Sequence, residues 1–406
     1  MSGIDRKKTM DMHSFVNARY ASAPGSPIRE LKRFSELPGM ISLAGGYPAP
    51  ELMDAAGLQQ IFGRFAPSEF GQALEYGGTE GAMALRVELA RLSSARGMAA
   101  EPADVLTLSG SQQGIDLLAR TLLSSGDVVL VEAPTYPAAL SAFRFAGASI
   151  HQVATDDEGL VIDALEAALV RLKPKLLYTV PTFGNPSGRT LGEARRRALL
   201  ELAVRHRCLV IEDDPYGDLY FDQAPPPSLH ALRHAVDGAE GIVTYLSSLS
   251  KTLAPGLRLG WMLGPPDVRR ACVLAKQTDD MHASTLTQAV AAAYLKQGLF
   301  HAQLPRLRQA YAARAGALVR ALREQLGARI RFTAPGGGMF VWARAPGVDT
   351  AQCLKSAIEQ RVMFVPGAAF FAQEPDPACL RLSFASQDEA GIAEGVARLA
   401  AALRPA

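Results

Sequence analysis

Short apolar runs recur along the first two thirds of the chain, each followed by a turn and then by apolar residues at helical spacing. The runs are Val105–Leu108, Val128–Val131, Leu176–Val180, Leu209–Ile211 and Ile242–Leu246, and helical spacing covers 114–124, 162–172 and 191–206. Aliphatic and β-branched runs without polar interruption predict strands buried on both faces. Their alternation with helices predicts crossover units and a mostly parallel sheet sandwiched by helices, an α/β fold. Past residue 290 the pattern changes. A long helical region (286–326) leads to RIRFTAPGGGMFVWARA, a further helix, and apolar runs at Val362–Val365 and Leu380–Phe384. That mixture predicts a smaller α+β domain. At the other end Pro24, Pro27 and Pro38 interrupt an arm with one short helix. The expected division is an arm and part of the small domain over 1–45, a large domain over 46–290 and a small domain over 291–406.

Composition narrows the function classes. The 406 residues are 48% hydrophobic and 20% charged, an ordinary globular balance, and the chain is long enough for two cores. Lys and Arg number 42 against 40 Asp and Glu, so nothing points to nucleic acid or a membrane surface as partner. Cys208, Cys272, Cys353 and Cys379 form no CxxC pair, which gives no metal site and suits a reducing compartment. The N-terminus, MSGIDRKKTMDMHSF, lacks a signal-peptide apolar run, and no stretch reaches membrane-spanning length. A cytoplasmic location is expected.

Ligands of an open parallel sheet bind outside the carboxyl ends of its strands, and the chain's chemistry-bearing residues cluster there. After Val105–Leu108 comes SGSQQG, opening a helix whose N–H groups and the Ser111 hydroxyl form an anion cradle. After Leu209–Ile211 comes Glu212-Asp213-Asp214-Pro215-Tyr216. After Ile242–Leu246 comes SSLSKT, placing Lys251 among small hydroxyl residues with Arg258 seven positions on. Desolvation there favours the neutral amine that forms Schiff bases, and Ser248, Ser250 and Arg258 suit a phosphate dianion. Together these loops offer what pyridoxal 5′-phosphate (PLP) requires: a phosphate cradle, a lysine for the aldehyde and a carboxylate for the pyridine nitrogen. Tyr136 can stack on the ring, and Asn185 and Tyr216 can donate to its oxygen.

SGSQQG, APTY, PTFGNPSG, IEDDPY, SLSKTLAPGLRLGW and LRLSFAS resemble, in order, the motifs of fold type I PLP-dependent aminotransferases of class I/II. The likeness is greatest to the kynurenine/2-aminoadipate aminotransferase group, and it runs from SPIRELKRF and ISLAGGYPAP to the Arg381 strand. The resemblance implies the fold of that family and transamination between an aromatic or dicarboxylic amino acid, such as kynurenine or 2-aminoadipate, and a 2-oxo acid such as 2-oxoglutarate. It implies that Lys251 anchors the cofactor and moves the reacting proton, with Asp213 on the ring nitrogen and Asn185 and Tyr216 on the ring oxygen. By the same likeness Tyr136 stacks on the ring, while Ser111, Gln112, Ser248, Ser250 and Arg258 hold the phosphate. Arg381, Asn185 and the Gly45 loop meet the substrate, and Arg29 meets its far end. Tyr76 matches a tyrosine that reaches the phosphate from a neighbouring subunit, implying a homodimer with shared sites. The resemblance further implies cis peptides at Asn185–Pro186 and Ala133–Pro134. Tyr47 departs from the smaller aliphatic residue common in that group, which leaves the side-chain pocket undefined.

Blander readings compete at several places. Gly336–Gly338 lacks the Lys-Ser/Thr of a phosphate loop and reads as a turn. Gly45 and Gly46 read equally as a turn. The seven histidines form no ligand spacing, and Arg195–Arg197 reads as a solvated helix face. A β-eliminating lyase would use the same lysine, aspartate and arginine. A PLP-dependent transcriptional regulator would need a winged-helix segment ahead of the arm, for which the position of SPIRE at residue 26 is expected to leave no room.

Overall fold

The computed structural model describes residues 15–21, 25 and 27–403. Its centre is an eight-stranded sheet: β1 Leu106–Leu108, β2 Val128–Ala133, β3 Ser149–Asp156, β4 Gly159–Leu160, β5 Leu176–Thr179, β6 Leu209–Asp213, β7 Val243–Ser248 and β8 Gly260–Leu263. The spatial order is β1-β8-β7-β6-β5-β2-β3-β4. Strands β7, β6, β5, β2 and β3 run parallel, and β8 runs antiparallel to both of its neighbours, β1 and β7. Each apolar run of the first two thirds of the chain falls on one of these strands, with Val105, Val180 and Ile242 just outside the strand bounds. Strand β8, whose GWML follows the lysine segment, reverses the sheet at a point where hydrophobic pattern alone carries no direction.

Helices cover both faces. Ser111–Leu122 and Pro137–Ala146 pack with Val129, Val131, Tyr178, Ile211 and Leu246. Ile162–Leu172 and Glu193–Arg205 pack with Leu130, Leu177, Val210 and Val243 on the other face. One correction concerns the arginine run. Arg195 and Arg197 do pair with surface acids, but Arg196 is fully buried, donating to the carbonyls of Leu191, Pro181 and Pro227 and to Thr182 Oγ1. Its planar fork satisfies the carbonyls of the loop that follows β5, a task a helix-face count does not reveal.

A second sheet is antiparallel throughout, in the order β9 Arg331–Phe332, β10 Phe340–Arg344, β12 Cys379–Ser383, β11 Val365–Pro366. The region expected to be helical over 286–326 is two helices, Thr285–Lys296 and Leu299–Leu326, parted at Gly298, whose φ is 74°. The longer one packs Leu307, Tyr311, Leu318 and Leu322 into the core shared with Phe340, Leu380 and Ile392. Ile41–Ser42 pairs in parallel with Val362–Met363, and the Leu43 carbonyl accepts from Ser383 N–H at 2.7 Å, so the arm's end is stitched to this sheet. The arm helix spans Pro27–Ser35 and seats Leu31 and Phe34 against Val365 and Phe370. No described helix is long and apolar enough to cross a membrane.

Candidate active site

Three consecutive acids at the carboxyl end of β6 receive three different environments because strand residues alternate faces. Glu212 accepts from the N–H groups of Leu229 and His230 at 2.8 and 2.9 Å, closing the start of the next short helix; burial pushes its carboxyl up to about 7. Asp214 accepts from Gly217 N–H and lies in a short contact with Arg96, beside the Tyr245 hydroxyl at 3.3 Å. Both are consumed by structure. Asp213 faces the other way. Its Oδ2 accepts from the Tyr178 hydroxyl at 2.7 Å, whereas its Oδ1 is buried and meets no donor among the described residues. Burial pushes this carboxyl up to about 7 as well, against the opposing influence of Tyr178 and Lys251. A buried carboxylate oxygen with no partner costs on the order of 1–3 kcal/mol, so the arrangement suits a ligand that brings an N–H.

Lys251 follows β7 by three residues, part-buried. Burial, with Arg381 and Arg258 nearby, lowers its amine to about 8, and the amine donates to the Gly46 carbonyl at 2.8 Å. Ser248 and Ser250 interlock, Oγ to Oγ at 2.9 Å, and Ser250 N–H donates to Ser248 Oγ. Arg258 adopts a left-handed backbone (φ 51°) that turns its guanidinium back toward Ser250 Oγ and the Ser109 carbonyl, at 3.4 and 3.1 Å. Gly110, at φ 87°, precedes the Ser111–Leu122 helix, whose N-terminus no described side chain caps. A Cβ on Gly110 would sit 2.5 Å from Arg258 Nη2, and one on Gly260 would sit 2.8 Å from Ser111 N. Backbone N–H groups, two serines and an arginine therefore converge, and the hydrogen bonds that join them involve no carboxylate among the described residues, a constellation suited to a dianion.

On the opposite side Arg381, in the middle of β12, is nearly inaccessible, which lowers its guanidinium to about 10. It donates to Asn185 Oδ1 at 2.7 Å and to the Ala44 carbonyl at 2.6 Å, its Cζ lies 4.3 and 4.9 Å from the Phe340 and Phe370 ring centroids, and its Nε has no partner among the described residues. No carboxylate faces it among the described residues. Asn185 also neighbours the Tyr216 phenol, which burial raises. Tyr136 starts the Pro137–Ala146 helix close to Asp213, Arg381 and Arg258, its phenol pushed up to about 12, chiefly by burial. The Ala133–Pro134 and Asn185–Pro186 peptides are both cis.

The glycine loop has little slack: a Cβ on Gly45 would meet the Tyr47 ring at 2.7 Å, and one on Gly46 the Phe340 ring at 2.4 Å. Gln112 sits at the helix start, with its Oε1 buried and unpartnered among the described residues. Tyr76 is 81% exposed and meets His282 edge-on. Arg29 belongs to the arm helix, but its side chain lies outside the described residues. Sequence reasoning missed Tyr178, the only described donor to Asp213, although a tyrosine inside an all-buried strand beside an acid-ended one was the available signal. It also missed Arg96, which occupies Asp214, and the Ala44 and Gly46 carbonyls, which as backbone groups leave no trace in residue type.

The profile of the family described as aminotransferase class I and II matches residues 45–399. The chain is 39% identical over 403 residues to aromatic-amino-acid aminotransferase 1 of Thermococcus litoralis, covering 98% of this chain and 95% of that protein. It is 40% identical over 380 residues to the 2-aminoadipate transaminase of Thermus thermophilus, covering 93% and 94%. Among solved structures, the kynurenine aminotransferase of Pyrococcus horikoshii in complex with PMP matches with a TM-score of 0.91 at 39% identity, covering 97% and 98% of the two chains.

Proposed function

This chain belongs to the class I and II aminotransferases and is a PLP-dependent aminotransferase of fold type I; from that premise we propose that it moves an amino group from an aromatic or dicarboxylic amino acid to 2-oxoglutarate. The single observation that supports the site assignment is a pair of unmet groups that both neighbour Tyr136: the Oδ1 of Asp213, with no donor among the described residues, and the guanidinium of Arg381, with no carboxylate among them. One calls for a protonated ring nitrogen and the other for a substrate carboxylate. The relatives named above for aromatic amino acids, 2-aminoadipate and kynurenine support the donor class.

In this reading Ser111 and Gln112 at the helix start, with Ser248, Ser250 and Arg258, grip the cofactor phosphate. Tyr136 lies against the ring, and Asn185 and Tyr216 meet its oxygen. Asp213 keeps the ring nitrogen protonated through Oδ1 while Tyr178 holds Oδ2 in place. Bound PLP supplies an electron sink for the charge left at the substrate Cα. Arg381 orients the amino acid by its α-carboxylate, a two-pronged task for a guanidinium already held in plane by Asn185 and Ala44. Lys251, its amine lowered into the range where a neutral fraction exists near neutrality, anchors the cofactor and carries the proton from Cα.

Tyr76 projects outward, and we assign it to the site of a second copy in a homodimer; Tyr76→Phe should then speed cofactor loss in the dimer, measured by dialysis. The four free thiols fit a reducing, cytoplasmic setting. The deciding experiment is a panel of amino donors followed by visible spectroscopy and an ammonia assay. Conversion of PLP to pyridoxamine phosphate without ammonia supports transamination by this site, and ammonia release would mean elimination instead.

A further inference from the structure

Behind the phosphate turn lies a charged cluster that the reaction does not touch. The Pro266–Asp279 helix carries Lys276, whose side chain has no solvent exposure. Its amine donates to Asp280 Oδ1 and Oδ2 at 2.6 and 2.8 Å and to Gln113 Oε1 at 2.9 Å. Gln113 Nε2 donates to Asp279 and Asp280 at 3.0 and 2.8 Å. The amide therefore has one workable orientation, since a flip would set its hydrogens against the ammonium and its oxygen against two carboxylates.

All of this converges on Ser109, the residue between β1 and the turn. Its N–H donates to Gln113 Oε1 at 2.8 Å, its hydroxyl donates to Asp280 Oδ2 at 2.9 Å, and its carbonyl accepts from Arg258 Nη2 at 3.1 Å. Gly110 and Gly260 already place the turn in contact with Arg258 and β8, as their absent Cβ atoms show. The remaining direction of movement is toward the Pro266–Asp279 helix, which the cluster blocks.

The cluster is assembled against several costs. A buried ammonium must be desolvated. Asp280 puts a carboxylate at a helix C-terminus, where the dipole opposes it. The next residue, Met281, holds a left-handed backbone (φ 62°) without being glycine. A pair serving only to staple its own helix would need none of this, because exposed i,i+4 pairs form freely on surfaces.

We propose that Lys276 is a positioning residue for the cofactor phosphate: through Gln113 and Asp280 it fixes Ser109, and Ser109 fixes both the anion-binding turn and the guanidinium of Arg258. The proposal rests on the reading that this turn and Arg258 hold the phosphate. It makes Lys276 responsible for a preference between two ligands that differ only in that group.

The test uses full-length protein stripped of cofactor and titrated with PLP and, separately, with pyridoxal, which lacks the phosphate. Lys276→Met and Asp280→Asn should each weaken PLP binding roughly 10- to 100-fold, the range seen when groups behind a ligand shell are removed, while pyridoxal binding stays within about twofold of the parent. Equal losses for both ligands would reduce Lys276 to a general fold residue, and no loss for either would remove it from the site; each result overturns the proposal. If Lys276→Met does not fold, the isosteric Asp280→Asn decides alone. Arg258→Ala separates the two layers of the argument. If it too keeps the preference for PLP, the phosphate reading itself falls. If it loses the preference while the Lys276 and Asp280 variants keep it, only the present inference falls.

Discussion

The two ends of the site are built differently. The cofactor end draws on one sheet: the turn after β1, the acids ending β6 and the serine-lysine segment after β7, all braced from behind by buried or partly buried pairs such as Arg96–Asp214 and Lys276–Asp280. The substrate end is gathered from the arm's end, the Asn185 loop and a strand of the second sheet, and the contact between Arg381 and the Ala44 carbonyl spans 337 positions of sequence. Tyr47 beside it is 53% exposed. A sheet fixes where its strand ends lie, so the chemistry of the cofactor end tolerates little change. In the proposed reading, the substrate end, gathered from loops, is the part where a single exposed residue such as Tyr47 can differ without moving a sheet strand.

The sharpest challenge to that contrast is Lys251. Lys251→Ala should abolish the half-reaction with any donor, and borohydride reduction of the native enzyme should fix the cofactor to Lys251 alone; peptide mapping that found another labelled lysine would overturn the cofactor end as drawn. Next is the division of labour between neighbouring acids. Asp213→Ala should leave the protein folded and slow the half-reaction by several orders of magnitude in a single-turnover measurement. Asp214→Ala should instead cost stability, about 3 kcal/mol in denaturant midpoint terms, because it strands Arg96. Reversed results would mean that the strand faces are assigned wrongly.

A smaller effect comes from pH. With the Lys251 amine near 8, the neutral form grows as pH rises, so PLP capture by stripped enzyme should accelerate roughly tenfold per unit below about 8 and level off above it, whereas an ordinary lysine would keep gaining up to about 10. Stopped-flow absorbance distinguishes the two profiles. The smallest effect belongs to the substrate end. Arg29→Ala should lower kcat/KM for dicarboxylic donors by roughly ten- to a hundredfold, the worth of one charged hydrogen bond, with little change for a neutral aliphatic donor. Equal losses would make Arg29 a tether for the arm helix.

What could be read from sequence follows the same contrast. Each apolar run became a strand, and the residues just beyond Leu108, Ile211 and Leu246 lie where strand ends meet, because the rule that sites sit at carboxyl ends is geometric. Asp213 stood out from Asp214 only by resemblance; the alternation of faces supplies the physical reason, but it needs the strand's register to be known. Arg196 was misread because its helix face carries charged neighbours on both sides, and only the loop after β5 makes it a buried donor. Gln113, Lys276 and Asp280 were invisible for a related reason. The links that join Gln113 to Lys276, Asp279 and Asp280 span more than 160 positions, and no local pattern encodes that distance.

Strand β8 has one more consequence. The chain leaves Lys251, turns at Arg258 and runs back beside β1, pairing Leu106–Leu108 with Gly260–Met262. The phosphate turn and the lysine thus become neighbours only when the first and last strands of the large sheet find each other. Pairings so distant in sequence are the slow ones in folding, since the chain between them must be closed before any contact repays it. If the turn and Arg258 hold the phosphate as proposed, a refolding chain that has buried its parallel core but not yet paired these strands should not bind the cofactor. On that proposal cofactor uptake should report sheet closure, and its lag behind the return of helical signal is the measurement that times it.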